Sequence, residues 1–136
     1  MENKDYFYPL TKEEFLTPIL NKDNAYFIKK QNEVIALFVA TCDIPDVLKE
    51  YELSNYNVML IDSIMVIEKF RGYGLQRKVL EFLFKRVKEL KLDGLVATVH
   101  PDNIYSLNNF LSSGYEIINK LIIHGGTRYI LYKNIK

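Results

Sequence analysis

The segment Arg71-Gly72-Tyr73-Gly74-Leu75-Gln76 lies between an apolar run, Met59 to Val66, and a long amphipathic pattern, Leu75 to Leu90. A glycine-punctuated turn that joins a strand to a helix start gathers free backbone N–H groups and the positive end of the helix dipole, a setting that binds phosphates. Arg71, Arg77 and Lys78 crowd the first turn, where the macrodipole disfavours cations; a docked polyanion would make sense of them. The alternative is that Gly72 and Gly74 only shape a turn and that the basic side chains are solvated.

Two common nucleotide-binding readings of such a loop fail. No Lys-Ser/Thr pair follows the second glycine, so the Walker A arrangement is absent. The dinucleotide fingerprint needs a third glycine that this loop lacks, although Asp93 stands about where its acidic residue would. His100, before Pro101, and His124, beside Gly125-Gly126, belong to no metal-ligand motif, and no metal is expected. Cys42 is the only cysteine, which excludes an internal disulfide; it lies in an apolar run and reads as a small buried hydrophobe.

The elements that must position these residues follow from periodicity. Thr11-Lys12-Glu13-Glu14 has capping-box spacing and predicts a short helix that Pro18 interrupts. Residues 25–30 and 34–42 read as strands joined by the polar turn Gln31-Asn32-Glu33. Pro45 and Asp46 could start a short helix carrying Val47, Leu48 and Tyr51. Residues 58–66 form an apolar central strand, and Leu95 to Val99 a second one.

Between those strands runs a helix with Leu75, Val79, Phe82, Leu83, Arg86, Val87 and Leu90 along one stripe, stopped by a left-handed Gly94. Strand, helix and strand imply a right-handed crossover with parallel strands. Asp102-Asn103 opens another helix, with Ile104, Leu107, Phe110 and Leu111 facing inward and Gly114 ending it. A hairpin of residues 115–123 and 127–134 turns at Gly125-Gly126.

The glycine loop resembles the acyl-CoA signature of the GNAT superfamily of N-acyltransferases, Gln/Arg-x-x-Gly-x-Gly/Ala, through Arg71, Gly74 and, imperfectly, Gln76. The run from Val66 to Gly74 looks like the family's Val-x-Pro-x-Tyr-Arg-Gly-x-Gly, with Glu68 in place of the proline. A second block is similar to Asn-x-x-Ala-x-x-x-Tyr-x-x-x-Gly-Phe through Asn103, Ser106, Phe110, Gly114 and Tyr115. The resemblance covers about residues 25–136; the first 24 residues are short for the family's usual first strand and two helices.

That resemblance implies an α/β fold with a mixed, mostly antiparallel central sheet, whose parallel βαβ crossover carries the CoA site. The backbone of Arg71, Gly72, Tyr73, Gly74, Leu75 and Gln76, with Arg77 beside it, would cradle the CoA pyrophosphate. Met65 and Val66 would offer main-chain groups to the pantetheine arm, and Asn103 its side chain; a plain N-cap is the other role open to Asn103. Ser106 and Phe110 share a helical face that would point at the thioester.

Acyl transfer to an amine has definable needs. An alkylammonium with a pKa near ~10.4 must lose a proton before it attacks, and the oxyanion wants a backbone N–H, which a splayed central strand could supply near Val66. Asp62 is the leading candidate for the base or the ammonium anchor, with a structural carboxylate as the alternative. Many relatives place a proton-donating tyrosine where this chain has Phe110. Tyr105, roughly 140° away around the helix, is a poor substitute and reads as a surface or packing aromatic.

A chain of 136 residues with 49% hydrophobic and 26% charged residues is expected to form one domain, residues 1–136. A net charge of +1 gives no reason to expect nucleic acid, and no apolar run approaches the roughly 18–20 residues of a membrane span. The first residues lack signal-peptide organisation, so a cytoplasmic location is expected. The leading functional expectation is an N-acetyltransferase moving acetyl from acetyl-CoA to a primary amine of a small molecule or protein. The alternative is a catalytically impaired CoA- or acyl-CoA-binding module.

Overall fold

The apolar runs at 58–66 and 94–99 lie side by side at the centre of a sheet. The computed structural model describes residues 14–18, 24–49, 57–123 and 126–135. Its elements are β1 (Glu14–Pro18), β2 (Asn24–Lys30), β3 (Glu33–Thr41), α1 (Asp46–Lys49), β4 (Val58–Val66), a 3-10 turn (Glu68–Phe70), α2 (Leu75–Glu89), β5 (Gly94–Val99), α3 (Ile104–Ser112), β6 (Glu116–Ile123) and β7 (Gly126–Asn134). Among the described residues these strands form a seven-stranded sheet in the order β1-β2-β3-β4-β5-β7-β6. β4 and β5 pair in parallel and every other neighbouring pair is antiparallel, giving the mixed, mostly antiparallel sheet that the resemblance implies.

The central strands are apolar on both sides because both faces are covered. Met59 and Ile61 of β4, with Leu95 and Ala97 of β5, pack under Val79, Leu80, Leu83 and Val87 of α2. The alternate residues Val58, Leu60 and Val96 join Leu48 of α1, Leu121 and Ile130 on the other face. Tyr26, Phe38 and Phe82 add a ring cluster with centroids 5.4 to 5.6 Å apart.

Several local expectations are corrected. Residues 14–18 form an edge strand and not a helix: Glu14 pairs with Lys30 and Pro18 with Tyr26, so strand pairing outweighs the local capping pattern. Proline is tolerated there because an edge strand can spare an N–H. Residues 11–13 lie outside the described residues, as do Tyr51, His124 and Gly125.

α2 ends through Lys91, which takes the left-handed conformation at φ 58°, while Gly94 opens β5. A Cβ at Gly94 would stand 2.5 Å from the Lys133 carbonyl oxygen and 2.6 Å from the Tyr132 hydroxyl, so close packing is what requires glycine. Leu90 lies past the last full turn and is exposed. Ile104 and Leu111 are exposed as well, and only Phe110 of α3 is fully buried. Cys42 is exposed, because it falls in the bend just after β3.

Candidate acyl-CoA site

β4 and β5 begin as partners and then part. Their register runs from Val58 opposite Gly94 to Ile61 opposite Ala97. β4 continues to Val66 along β3 alone, while Thr98 and Val99 stay paired with β7. Asp62 is the first residue beyond the last β4–β5 pair. It is also the extra residue of a bulge, since Ser63 faces Val39 and Ile61 faces Ala40. The bulge leaves Asp62 and Ser63 both exposed.

The splay frees main-chain groups. The Ile67 N–H donates to the Ile35 carbonyl at 2.9 Å. The alternation of an antiparallel ladder therefore turns Met65 toward Leu37 of β3, and turns the N–H and C=O of Ile64 and Val66 into the gap. Met65 enters the site through its side chain, which is half exposed. Its main chain belongs to the sheet, and it is Ile64, with Val66, whose main-chain groups face the gap.

A cleft of about 330 Å³ opens on the β4 side of the gap. Ile64, Met65 and Val66 form its floor, Arg71 and Gln76 one wall, and Asn103, Tyr105 and Ser106 the other. The Arg71 Nε donates to the Val66 carbonyl at 3.1 Å, which ties the turn to the end of β4. Gly72 and Gly74 both take positive φ, 86° and 79°, and Gly74 is the N-cap of α2.

The first intrahelical bond of α2 runs from the Lys78 N–H to the Gly74 carbonyl, so the N–H groups of Leu75, Gln76 and Arg77 have no helical acceptor. No acidic residue occupies that first turn. Tyr73 and Arg77 are exposed beside the turn, whereas the Leu75 side chain anchors it in the core.

Gln76 is buried, and its amide joins the two walls. Its Nε2 donates to Ser106 Oγ at 2.8 Å and its Oε1 accepts from Asn109 Nδ2 at 3.2 Å. The family pattern has Gly or Ala at this position, so the imperfect match in the sequence is a cross-brace in the structure. Asn103 caps α3 by accepting from the Ser106 N–H at 3.2 Å while also lining the cleft. The cap occupies Oδ1 and leaves the Nδ2 hydrogens to donate.

Phe110 does not line the cleft. It is 3% exposed in the core, with its ring 5.0 Å from that of Tyr115 in an edge-on contact. The residue lies about 10 Å along the helix from its cap, away from the end that meets the cleft. Tyr105 comes to the cleft instead, with its hydroxyl accepting from the Gly72 N–H at 3.2 Å. α3 meets the cleft end-on, so side chains around its first turn reach it and a helical-wheel argument misplaces them. His100 uses Nδ1 to accept from the Asp102 N–H at 3.0 Å, a local turn contact.

The family model described as the Acetyltransferase (GNAT) family matches residues 1–115, including the N-terminal stretch that reads as atypical in the sequence. The chain belongs to the GNAT acetyltransferase family. Solved structures share the fold at low identity. A GNAT family acetyltransferase from Elizabethkingia anophelis with acetyl-CoA bound is 15% identical, with a TM-score of 0.68 over 90% of this chain and 99% of that one.

A chain of the NatC complex bound to Gag peptide and CoA is also 15% identical, with a TM-score of 0.68 over 82% of this chain and 71% of that one. A GNAT acetyltransferase from Listeria monocytogenes is 15% identical, with a TM-score of 0.65 over 81% of this chain; this chain spans 63% of its length. Comparison with curated proteins found no match.

Proposed function

We infer that the cleft binds acetyl-CoA and that the protein transfers its acetyl group to a primary amine. The observation that carries this reading is the parting of β4 from β5 beside the N-terminus of α2: strand groups that β5 does not pair and N–H groups without a helical acceptor border one cleft. The diphosphate would lie on the 71–77 backbone and the pantetheine arm along Ile64 and Val66, which can accept and donate to its amides as a neighbouring strand would. The acetyl-CoA and CoA bound in the two relatives named above support the choice of ligand.

In the reaction, the amine gives up a proton, its nitrogen attacks the thioester carbonyl carbon, and the C–S bond breaks. A strand N–H of Ile64 or Val66 is the candidate partner for the oxyanion, because a donor fixed beforehand needs no reorganisation when charge develops. Asp62, exposed at the mouth of the splay, is the candidate to hold the ammonium or take its proton. With Phe110 in the core there is no phenol at the position many relatives use. A thiolate with an ordinary pKa near ~8.5 leaves without much help.

The test is thiol release from acetyl-CoA in the presence of a panel of small amines and peptides with free amino groups. Amine-dependent release with acetylated product is the expected result. Binding of acetyl-CoA with no release across the panel would instead favour the non-catalytic CoA-binding alternative.

A further inference from the structure

The contact between Gly72 and Tyr105 spans the cleft from the turn to α3. The Gly72 N–H belongs to the turn whose other free donors are the first N–H groups of α2. Its acceptor is a phenol oxygen, 3.2 Å away, on a residue that is 45% exposed. A hydroxyl that accepts one hydrogen bond still has its own proton to give.

Ser106, the next residue, repeats the arrangement: its oxygen accepts from Gln76 and its proton is left over at the cleft. α3 thus presents two adjacent hydroxyl donors across from a row of N–H donors, and among the described residues no carboxylate lines the space between them.

We propose that Tyr105 is a positioning residue for the diphosphate of the acyl donor, with its hydroxyl donating to the same anionic oxygen to which the Gly72 N–H donates. An oxygen accepting from two donors at hydrogen-bond distance on either side needs them about 4.5 Å apart. The half-exposed phenol reaches that spacing by moving about an ångström outward. The Gly72 N–H then exchanges a neutral acceptor for a charged one, and the phenol exchanges accepting for donating. Hydrogen bonds to an ionised acceptor are the stronger kind. The proposal rests on the acyl-CoA reading above.

The experiment titrates the full chain and Tyr105→Phe with CoA by calorimetry, and with pantetheine, which lacks the diphosphate, by chemical-shift perturbation. The expected result is about tenfold weaker binding of CoA to the variant, equivalent to about 1.4 kcal/mol, with pantetheine affinity and melting temperature unchanged. CoA affinity that is unchanged or tighter in the variant would overturn the proposal, the tighter case making the phenol a competitor for Gly72. Equal weakening of CoA and pantetheine would also overturn it, by reducing Tyr105 to a packing residue. Failure of the unmodified protein to bind CoA would show a different fault, in the acyl-CoA reading itself.

Discussion

The Gln76 amide nitrogen lies 2.8 Å from the Ser106 hydroxyl oxygen, and this bond joins the N-terminus of α2 to the N-terminus of α3 across the cleft. The residues are buried or half-buried, so the bond is shielded from water. Gln76→Ala removes it together with the bond from Asn109, and leaves Ser106 and Asn109 short of partners. Each lost bond of this kind costs about 0.5–1.5 kcal/mol. The expected outcome is a lower denaturation midpoint and weaker CoA binding, whereas Gln76→Glu keeps an acceptor for Asn109 but loses the donor to Ser106. A midpoint unchanged in Gln76→Ala would show that the brace carries no stability.

Phe110→Tyr places a hydroxyl where the ring is enclosed by the core and packed on Tyr115. Burying an unpartnered hydroxyl costs about 1–3 kcal/mol. The variant should lose stability in urea by about that amount and gain no turnover, because the added group does not reach the cleft. A rise in turnover at unchanged stability would mean that the ring turns toward the thioester.

The reason these two residues exchange their expected importance is geometric. Periodicity made the elements from residue 58 to residue 112 legible, because apolar residues repeating at two or at three-and-four positions report the period directly. β4 and α2 begin where the sequence places them. The glycine turn was legible too, since Gly72 and Gly74 do adopt positive φ.

Three features were not legible, each because it depends on distant chain. Strand pairing with β2 decides residues 14–18. The Lys133 carbonyl and the Tyr132 ring decide Gly94. The end-on approach of α3 to the cleft decides Tyr105 and Phe110. Gln76 stood out in the sequence as a departure from the family pattern, and that departure was the available signal for the brace.

Tyr115 carries a buried hydroxyl with no hydrogen-bond partner among the described residues, and burial raises its pKa above the ordinary 10.0. The folded state therefore keeps the proton while the unfolded chain gives it up. The associated stability is complete below about pH 10 and is lost as the pH climbs above that value. Tyr115→Phe should be neutral or stabilising, by about 1 kcal/mol, near pH 7. It should also flatten the alkaline decline in melting temperature relative to the unmodified protein. A steeper decline in the variant would contradict the burial argument.

Gly94→Ala introduces a Cβ into backbone and ring atoms at 2.5 to 2.7 Å, so β5 or β7 must shift. Overpacking of this kind costs about 1–3 kcal/mol. Because β5 forms one side of the splay, CoA affinity should fall with stability. Full stability in the variant would mean that β7 at Lys133 yields more easily than its pairing with β5 implies.

The central claim is that the gap between β4 and β5, with the N-terminus of α2, is a seat for an acyl-CoA. The most direct measurement is the melting temperature of the full chain as acetyl-CoA is added. A ligand that binds only the folded state stabilises by about 2.7 kcal/mol at a hundredfold excess over its dissociation constant. The account predicts a concentration-dependent rise that is abolished in Gly74→Val, where a β-branched side chain must adopt φ near 79° at the head of the helix. No rise in the unmodified protein at millimolar acetyl-CoA would contradict it.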